Sequence, residues 1–292
     1  MLFEIRHTTE YRYAEPAIEA YLEARLTPPN TATQRVIEHS IEIEPELPTS
    51  TYTDVFGNPV SFFSQTLRHR RLVVRNLARV ETRAPELPEA ALALPIAEAR
   101  QVFSSALLDY YDYLLPTDAV PTGGPATSWA RKYLAAGKTL RDGLGALNTA
   151  IYEKFSYVPG ATDNSTPLRR VWKEQRGVCQ DYAHVMLSVL RTAGLPARYV
   201  CGYIETSPPR SASGRRLVGS VATHAWVEVL VPGLTWVALD PTNNQWCAEQ
   251  HVAVSFGRDS RDAAPVRGTF KGTGGQVMKV RVNMKRVGRA SA

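Results

Sequence analysis

The sequence predicts an α+β protein whose strand-rich and helical stretches follow one another along the chain, on three observations. The first 83 or so residues read as β runs, residues 127–155 carry a helical apolar pattern, and residues 197–244 alternate as strands around a Pro-Gly turn. In the first stretch, Phe3 to Tyr13, Glu19 to Thr27, Arg35 to Glu44 and Leu72 to Thr82 are rich in β-formers and separated by Pro, Asn and Gly. Asp54-Val-Phe-Gly-Asn58, followed by Pro59, signals a turn between two further runs. No cluster of catalytic residue types falls in this region, so residues 1–83 are expected to form a small β-rich N-terminal domain.

From Ala84 to Pro125 prolines recur at 85, 88, 95, 116, 121 and 125, with short helical stretches between them. Residues 84–125 therefore read as a connecting region. Trp129, Tyr133, Leu134, Leu140, Leu144, Leu147 and Ile151 then fall near three- and four-residue steps, the period of a helix with one buried face. This opens a core expected to span residues 126–262. Residues 263–292 are left as a basic C-terminal tail. In it Met278, Val280, Val282 and Met284 alternate with Lys279, Arg281, Asn283 and Lys285, the pattern of a final half-buried strand.

Chemistry is concentrated between residues 171 and 247. Gly177-Val-Cys-Gln-Asp-Tyr-Ala-His184 leads into Val185, Met186, Val189, Leu190 and Ala193 at helical spacing, and Gly194 and Pro196 end the run. Cys179 thus stands at the start of a buried helix, where backbone N–H groups and the positive end of the dipole stabilise an anion. Such a place favours the thiolate, the reactive form, and the same N–H groups can hold an oxyanion. The bland alternative for Cys179 is a small buried hydrophobe. After the strand Ala197–Ile204 and a Ser/Pro/Arg loop at 205–220, which can border the cleft or serve only as a linker, come two further strands. These are Thr223-His-Ala-Trp-Val-Glu-Val-Leu230 and Thr235-Trp-Val-Ala-Leu-Asp240, joined through Pro232-Gly233. A hairpin centred at Pro232 sets His224 opposite Asp240 on one face, close enough for a carboxylate to orient an imidazole. A core histidine and a strand-ending aspartate are the bland readings. Cys, His and Asp together fit acyl transfer: the imidazole takes the thiol proton, the carboxylate fixes its tautomer, and the thiolate attacks an acyl carbon.

Other chemistries are less well served. His184, five residues after Cys179, faces elsewhere on the helix and no second Cys or His completes a tetrahedral set, so no metal is expected. Asp181 reads as a helix-start residue, and Cys201 and Cys247 as buried fillers with free thiols. The net charge of +6 comes from the tail, whose seven Lys and Arg residues leave the rest of the chain at −1. No nucleic-acid reading head accompanies it, so neither nucleic acid nor membrane is an expected partner. Charges interrupt the first residues where a signal peptide needs an apolar core, which makes a cytoplasmic location the expectation.

The segments Gly177–His184, Gly194-Leu-Pro-Ala-Arg-Tyr-Val200, His224-Ala-Trp-Val-Glu228 and Asp240-Pro-Thr-Asn-Asn244 together resemble the transglutaminase-like superfamily. The resemblance implies a papain-like core, a Cys helix packed on an antiparallel sheet, with Cys179, His224 and Asp240 as its triad. The β-rich start is similar to the N-terminal domain of bacterial members. Phe155-Ser-Tyr-Val-Pro159 resembles a segment upstream of the Cys, which makes Tyr157 a candidate for shaping the acyl site. Trp172 and Gln180 are further candidates for substrate contact. The implied function is amide chemistry on a peptide or protein through a Cys179 thioester, resolved by water in a protease or amidase and by an amine in a transglutaminase. No cofactor is implied, and no Asp/Asn-rich calcium loop is present. The different-class alternative is a papain-like binding module without turnover.

Overall fold

The computed structural model describes residues 1–105, 107–205 and 222–288, so the loop expected at 205–220 lies, from residue 206 on, outside the described residues. The chain begins with six strands: β1 (Leu2–Ala17), β2 (Glu19–Ala24), β3 (Gln34–Glu44), β4 (Thr49–Thr53), β5 (Pro59–Gln65) and β6 (His69–Thr82). Short helices α1 (Glu89–Leu92), α2 (Ile96–Ser105) and α3 (Leu107–Tyr110) follow, then α4 (Pro125–Tyr133) and α5 (Leu140–Lys154). The strand pair β7 (Ser156–Tyr157) and β8 (Arg176–Gly177) flanks α6 (Leu168–Glu174) and leads into α7 (Cys179–Thr192). The last strands are β9 (Ala197–Ile204), β10 (His224–Val231), β11 (Thr235–Asp240), β12 (Gln245–Trp246), β13 (His251–Gly257), β14 (Val266–Lys271) and β15 (Gln276–Gly288).

Three sheets carry the architecture. The long strands form a sheet in the order β15-β1-β6-β3, a second sheet runs β14-β2-β5-β4, and the third runs β12-β11-β10-β9-β13. The first two face each other across Tyr11, Tyr13, Leu72 and Val74 on one side and Ala20, Leu22, Ala24 and Phe63 on the other. The first sheet's strands outrun this sandwich. Their other end packs Phe3, Ile5, Ala78, Val80 and Met284 against Tyr203, Val252 and Val254 of the third sheet. Alternation is the cause, since one face of β1 is buried from Phe3 to Tyr13, apolar at both ends with His7 and Thr9 between, and needs two partners to cover it. α7 packs on β9 and β10 through Val185, Val189, Ala225, Val227 and Val229, which makes the Cys helix the centre of the largest core.

Three expectations change. The segment 84–125 is not a connector, because Leu92, Ile96, Ala99, Phe103 and Val120 are buried in the same core as α7. Proline-rich composition set the element lengths there, while the apolar residues between the prolines set their burial. Residues 263–292 are not a separate tail either. β14 pairs with β2, and β15 pairs with β1 from Leu2↔Gly288 to Tyr13↔Gln276, so both close the N-terminal sandwich. Val282 and Met284 turn inward as the alternation requires, while Met278 stays half exposed. The helical stretch 127–155 divides into α4 and α5, with Thr139 capping α5 by accepting from the Asp142 N–H at 3.1 Å.

Two side-chain amides fasten the sandwich to the edge strand β13. Asn58 Nδ2 donates to the Phe256 carbonyl at 2.7 Å, and the Phe256 N–H donates to Asn58 Oδ1 at 2.8 Å. Gln34 makes the same double contact with Ala253, at 2.9 Å each way. The Asp54 turn explains the first contact: Oδ1 accepts from the N–H groups of Phe56 and Asn58, and Oδ2 accepts from Asn58 Nδ2. The turn thereby aims the amide at β13. Among the described residues no helix is long and apolar enough to cross a membrane.

Asn58→Ala leaves the buried N–H and C=O of Phe256 without partners and should cost about 2–3 kcal/mol in denaturant unfolding. A loss below about 0.5 kcal/mol would show that the clamp is redundant. The buried imidazoles of His7 and His184 set a pH dependence, since burial lowers each to about 4. An unfolded chain binds protons at these sites below about pH 6.5, whereas the folded chain does not until about pH 4. Unfolding therefore takes up about two protons in that window, and this contribution makes stability fall as the pH falls. Thermal unfolding of His184→Asn from neutral pH downward should show a shallower slope than the wild type, and equal slopes would rule this source out.

Candidate active site

Cys179 is the first residue of α7, set there by what precedes it. Residues 156–157 and 176–177 pair in parallel, Tyr157 beside Gly177, which fixes the chain entering the helix. Asp181, one turn into α7, folds back: its Oδ2 accepts from the Val178 N–H at 2.8 Å and from Thr162 Oγ1 at 2.5 Å. Gly177 allows this, because a Cβ there would lie 2.4 Å from that same carboxylate oxygen. As first-turn residues, Cys179 and Gln180 have N–H groups with no acceptor inside the helix, so the thiol sits beside two donors and the positive end of the dipole.

The hairpin that carries His224 and Asp240 differs from the expected register by two residues. β10 and β11 pair as Val227↔Leu239 through Val231↔Thr235 around a Pro232-Gly233-Leu234 turn, with Gly233 and Leu234 at φ +88° and +62°. The hairpin is centred on Gly233, so the residue in line with Asp240 is Trp226 and His224 is its diagonal neighbour. A shift of two keeps both residues on the same face, and the side chains still meet, with His224 Nε2 donating to Asp240 Oδ2 at 2.8 Å. On the neighbouring strand Gly202 lies opposite His224. A Cβ at Gly202 would come 2.4 Å from the Trp226 ring and 2.2 Å from the Val252 carbonyl, so glycine is what lets this layer pack.

Asp240 is fully buried and accepts five hydrogen bonds. Oδ2 takes His224 Nε2, His251 Nε2 at 3.2 Å and Asn243 Nδ2 at 2.7 Å, while Oδ1 takes the N–H groups of Thr242 at 3.0 Å and Asn243 at 3.2 Å. Burial alone would push its pKa up, but the two imidazoles outweigh it and hold the carboxylate below its usual range. The reverse holds for His224. Burial disfavours its charged form, yet the Asp240 carboxylate, and after it Cys179, raise its pKa. With Nε2 committed to Asp240, the neutral ring keeps its lone pair on Nδ1, which is buried, has no hydrogen-bond partner within ordinary length among the described residues, and is left to the Cys179 thiol. That nitrogen is free for the thiol proton.

His251 was not singled out by the sequence. Its Nδ1 accepts from the Ala248 N–H at 3.4 Å, so its proton sits on Nε2 and points at Asp240. Ten residues of partly irregular chain lie between the two, which leaves no register from which to pair them. Asn243, inside the Asp240–Asn244 motif, was likewise not assigned a role. The loop that carries it is held to α5, where Thr149 Oγ1 donates to Asn244 Oδ1 at 3.0 Å. His224, Asp240 and His251 offer ligand atoms within 4.8 Å of one another. Separations of 2.8 and 3.2 Å from one carboxylate oxygen are hydrogen-bond lengths, so these atoms share protons as they stand.

The remaining expectations divide. Tyr157 is half-buried near the sulfur; burial first, then Cys179 and Asp181, push its phenol up to about 12, so it remains a hydrogen-bond donor. Gln180 lines a cleft between the sandwich and the core, together with Thr223. Trp172 packs edge-on against Trp129 at 5.2 Å and Phe155 at 5.7 Å, half-buried at the margin of an aromatic cluster. His184 accepts from the Ser260 N–H at 3.2 Å, away from the site. Cys179, Cys201 and Cys247 are free thiols.

Comparison with known proteins matches this geometry at two places. Residues 127–241 match the family described as the transglutaminase-like superfamily, and residues 3–81 match the bacterial transglutaminase-like N-terminal region. An uncharacterised protein of Mycobacterium leprae is 33% identical over 96% of this chain and 97% of its own. The chain belongs to the transglutaminase-like superfamily. An uncharacterised Mycobacterium tuberculosis protein is 34% identical over 91% of the chain and 86% of its own. A protein-glutamine gamma-glutamyltransferase of Pseudomonas aeruginosa is 35% identical over 33% of this chain and 15% of its own. Among solved structures, a protein provisionally named a cysteine protease, from Cytophaga hutchinsonii, superposes with a TM-score of 0.74 at 20% identity, covering 99% of this chain and 92% of that one. The transglutaminase-like core with a β-rich N-terminal region is thus the fold of this chain.

In this transglutaminase-like site, His251→Phe removes one donor from Asp240, while His251→Gln keeps an Nε2 donor. We expect the first to raise the pH at which Cys179 alkylation falls off on the acid side and to slow it about tenfold, and the second to restore both. Profiles unmoved in either variant would mean that the second imidazole only packs.

Proposed function

We propose that this protein is a cysteine-dependent acyl-transfer enzyme acting on amide bonds of peptides or proteins, with water as the usual acceptor. One observation carries the reading: His224 spends Nε2 on a buried carboxylate and leaves Nδ1, without another partner among the described residues, for the Cys179 thiol at a helix N-terminus, which raises the imidazole's pKa. Nδ1 takes the thiol proton, and the sulfur attacks the carbonyl carbon to give a tetrahedral oxyanion held by the first N–H groups of α7. The C–N bond breaks, the amine leaves with the proton from His224, and a Cys179 thioester remains. Water then gives a proton to His224 and adds to the thioester; the C–S bond breaks, the carboxylic acid departs, and the proton returns to sulfur. Throughout, Asp240 stays ionised and holds the imidazolium in place.

Resolution by an amine instead of water is the second reading, favoured by the likeness to the Pseudomonas aeruginosa glutamyltransferase. The two separate in one assay: a glutamine-containing peptide incubated with and without a primary amine, with carboxylate and amide products resolved by mass. Hydrolysis predicts that the carboxylate dominates in the presence of amine. Predominant amide product would replace it with transamidation.

Cys179→Ser should abolish product formation with the fold intact, and His224→Ala should cost more than Asp240→Asn, the base mattering more than its orienter. Near pH 6, iodoacetamide should label Cys179 at least about tenfold faster than Cys201, which burial pushes up to about 12, and Cys247, which burial also raises. Peptide mapping reads all three thiols. A Cys179 rate unchanged by His224→Ala would refute the pairing and bring the binding module forward.

A further inference from the structure

Between the N-terminal sandwich and the core lies a slot of about 530 Å³, with Gln180 and Thr223, the chain neighbours of Cys179 and His224, in its walls. Its strands contribute in two different ways. β1 supplies His7, Thr9, Tyr11 and Tyr13, and β15 supplies Gln276, Met278 and Val280, alternate residues in both cases. These pair as Tyr11↔Met278 and Thr9↔Val280, so they are one face of one sheet, and that face is the floor. β14 instead contributes five consecutive residues, Val266 to Phe270. Because neighbouring side chains on a strand point to opposite faces, an unbroken run lines a cavity only if the backbone edge faces it.

β14 is the outermost strand of its sheet, bonded to β2 on one side. The Arg25 N–H donates to the Pro265 carbonyl at 2.8 Å, which fixes the phase of that ladder. Residues 267 and 269 therefore spend their backbone groups on β2, and Val266, Gly268 and Phe270 direct theirs the other way. Among the described residues these outward groups have no backbone partner. Arg261 and Arg267 are in the walls, each paired with a carboxylate, Asp118 at 3.3 Å and Glu23 at 2.9 Å.

We propose that the acyl-donor substrate is an extended polypeptide that enters this slot as an added strand on β14. The inference rests on the acyl-transfer reading and adds to it how the substrate is held. Recognition is through the main chain, by the N–H and C=O groups of Val266, Gly268 and Phe270, over roughly five residues or about 17 Å of extended chain. Alternate substrate side chains rest on the sheet floor of Tyr11, Thr9, Met278 and Val280. The N-terminal sandwich is then part of the substrate site.

The test uses the full chain in which Cys179→Ala prevents turnover, with reduced and carboxymethylated α-lactalbumin as an unfolded probe. Residue-resolved amide exchange should show Val266, Gly268 and Phe270 exchanging fast alone and about tenfold slower with the probe, while Arg267 and Thr269 are slow in both states. Peptides taken from the segment the enzyme processes, N-methylated one position at a time, should lose turnover about tenfold at alternate positions and less than about twofold between them. Binding or turnover without protection of the three amides, or an N-methyl effect with no alternation, overturns the proposal. So does absence of both binding and turnover with the unfolded chain when p-nitrophenyl acetate still acylates Cys179 in the wild type. Failure of that small ester to acylate Cys179 instead counts against the acyl-transfer reading, and the amide protection is read independently of it. Val266→Pro, which deletes one outward N–H, should weaken probe binding about tenfold, and unchanged probe binding in the folded variant overturns the proposal.

Discussion

A carboxylate shut away from water needs donors for every lone pair, and the candidate site of this fold is arranged around that requirement at Asp240. Five donors converge on it from four places: β10, β13, the turn after β11, and the Asn243 side chain within that turn. Each donor has its own support. His224 is backed by a layer that only Gly202 lets close, His251 by the Ala248 N–H, and the turn by Asn244 bonded to α5. Because an unmet bond to a buried charge costs more than a met one contributes, the arrangement is self-consistent only when all the parts are present. The polarity of the His224 ring follows from it, and with it the free nitrogen next to the thiol.

The strand that brings His251 is an edge strand, and its placement depends on the N-terminal sandwich. Gln34 and Asn58 each offer β13 the donor and acceptor that another strand would have supplied. A sheet edge is thereby capped against unwanted pairing. The same sandwich leaves the edge of β14 turned toward the core. One edge is closed by side chains and the other open, which is how a β-rich region with no catalytic residue types of its own bears on the site.

Much of this was legible from residue types and spacing. Helix periodicity with a terminal Gly and Pro located α7 and put Cys179 at its start. Strand alternation put His224 and Asp240 on one face, and that survived a register error because the error was even. What could not be read was whatever depended on long-range assembly. His251 reaches Asp240 only through the order of strands in the sheet, Trp172 meets Trp129 through the packing of α6, and the segment 84–125 is core because of partners far along the chain. The basic tail hid its role in another way. Its alternation announced a strand, but nothing local names the strand it pairs with.

That pairing has a consequence for the order in which the molecule can be made. β1 precedes and β15 follows the segments that carry Cys179, His224 and Asp240, yet the two strands are neighbours in one sheet over twelve residues. Until β14 and β15 emerge, β1 and β2 each lack one neighbour, and the apolar face of β1 has Phe3 and Ile5 without Met284 beside them. The helices and the sheet that hold Cys179, His224 and Asp240 are synthesised in between, so they can collapse while the sandwich is still open. The N-terminal unit is thus completed only after the strands bearing His224 and Asp240 have been made, and a nascent chain stalled before residue 276 would carry Cys179, His224 and Asp240 beside an unfinished scaffold.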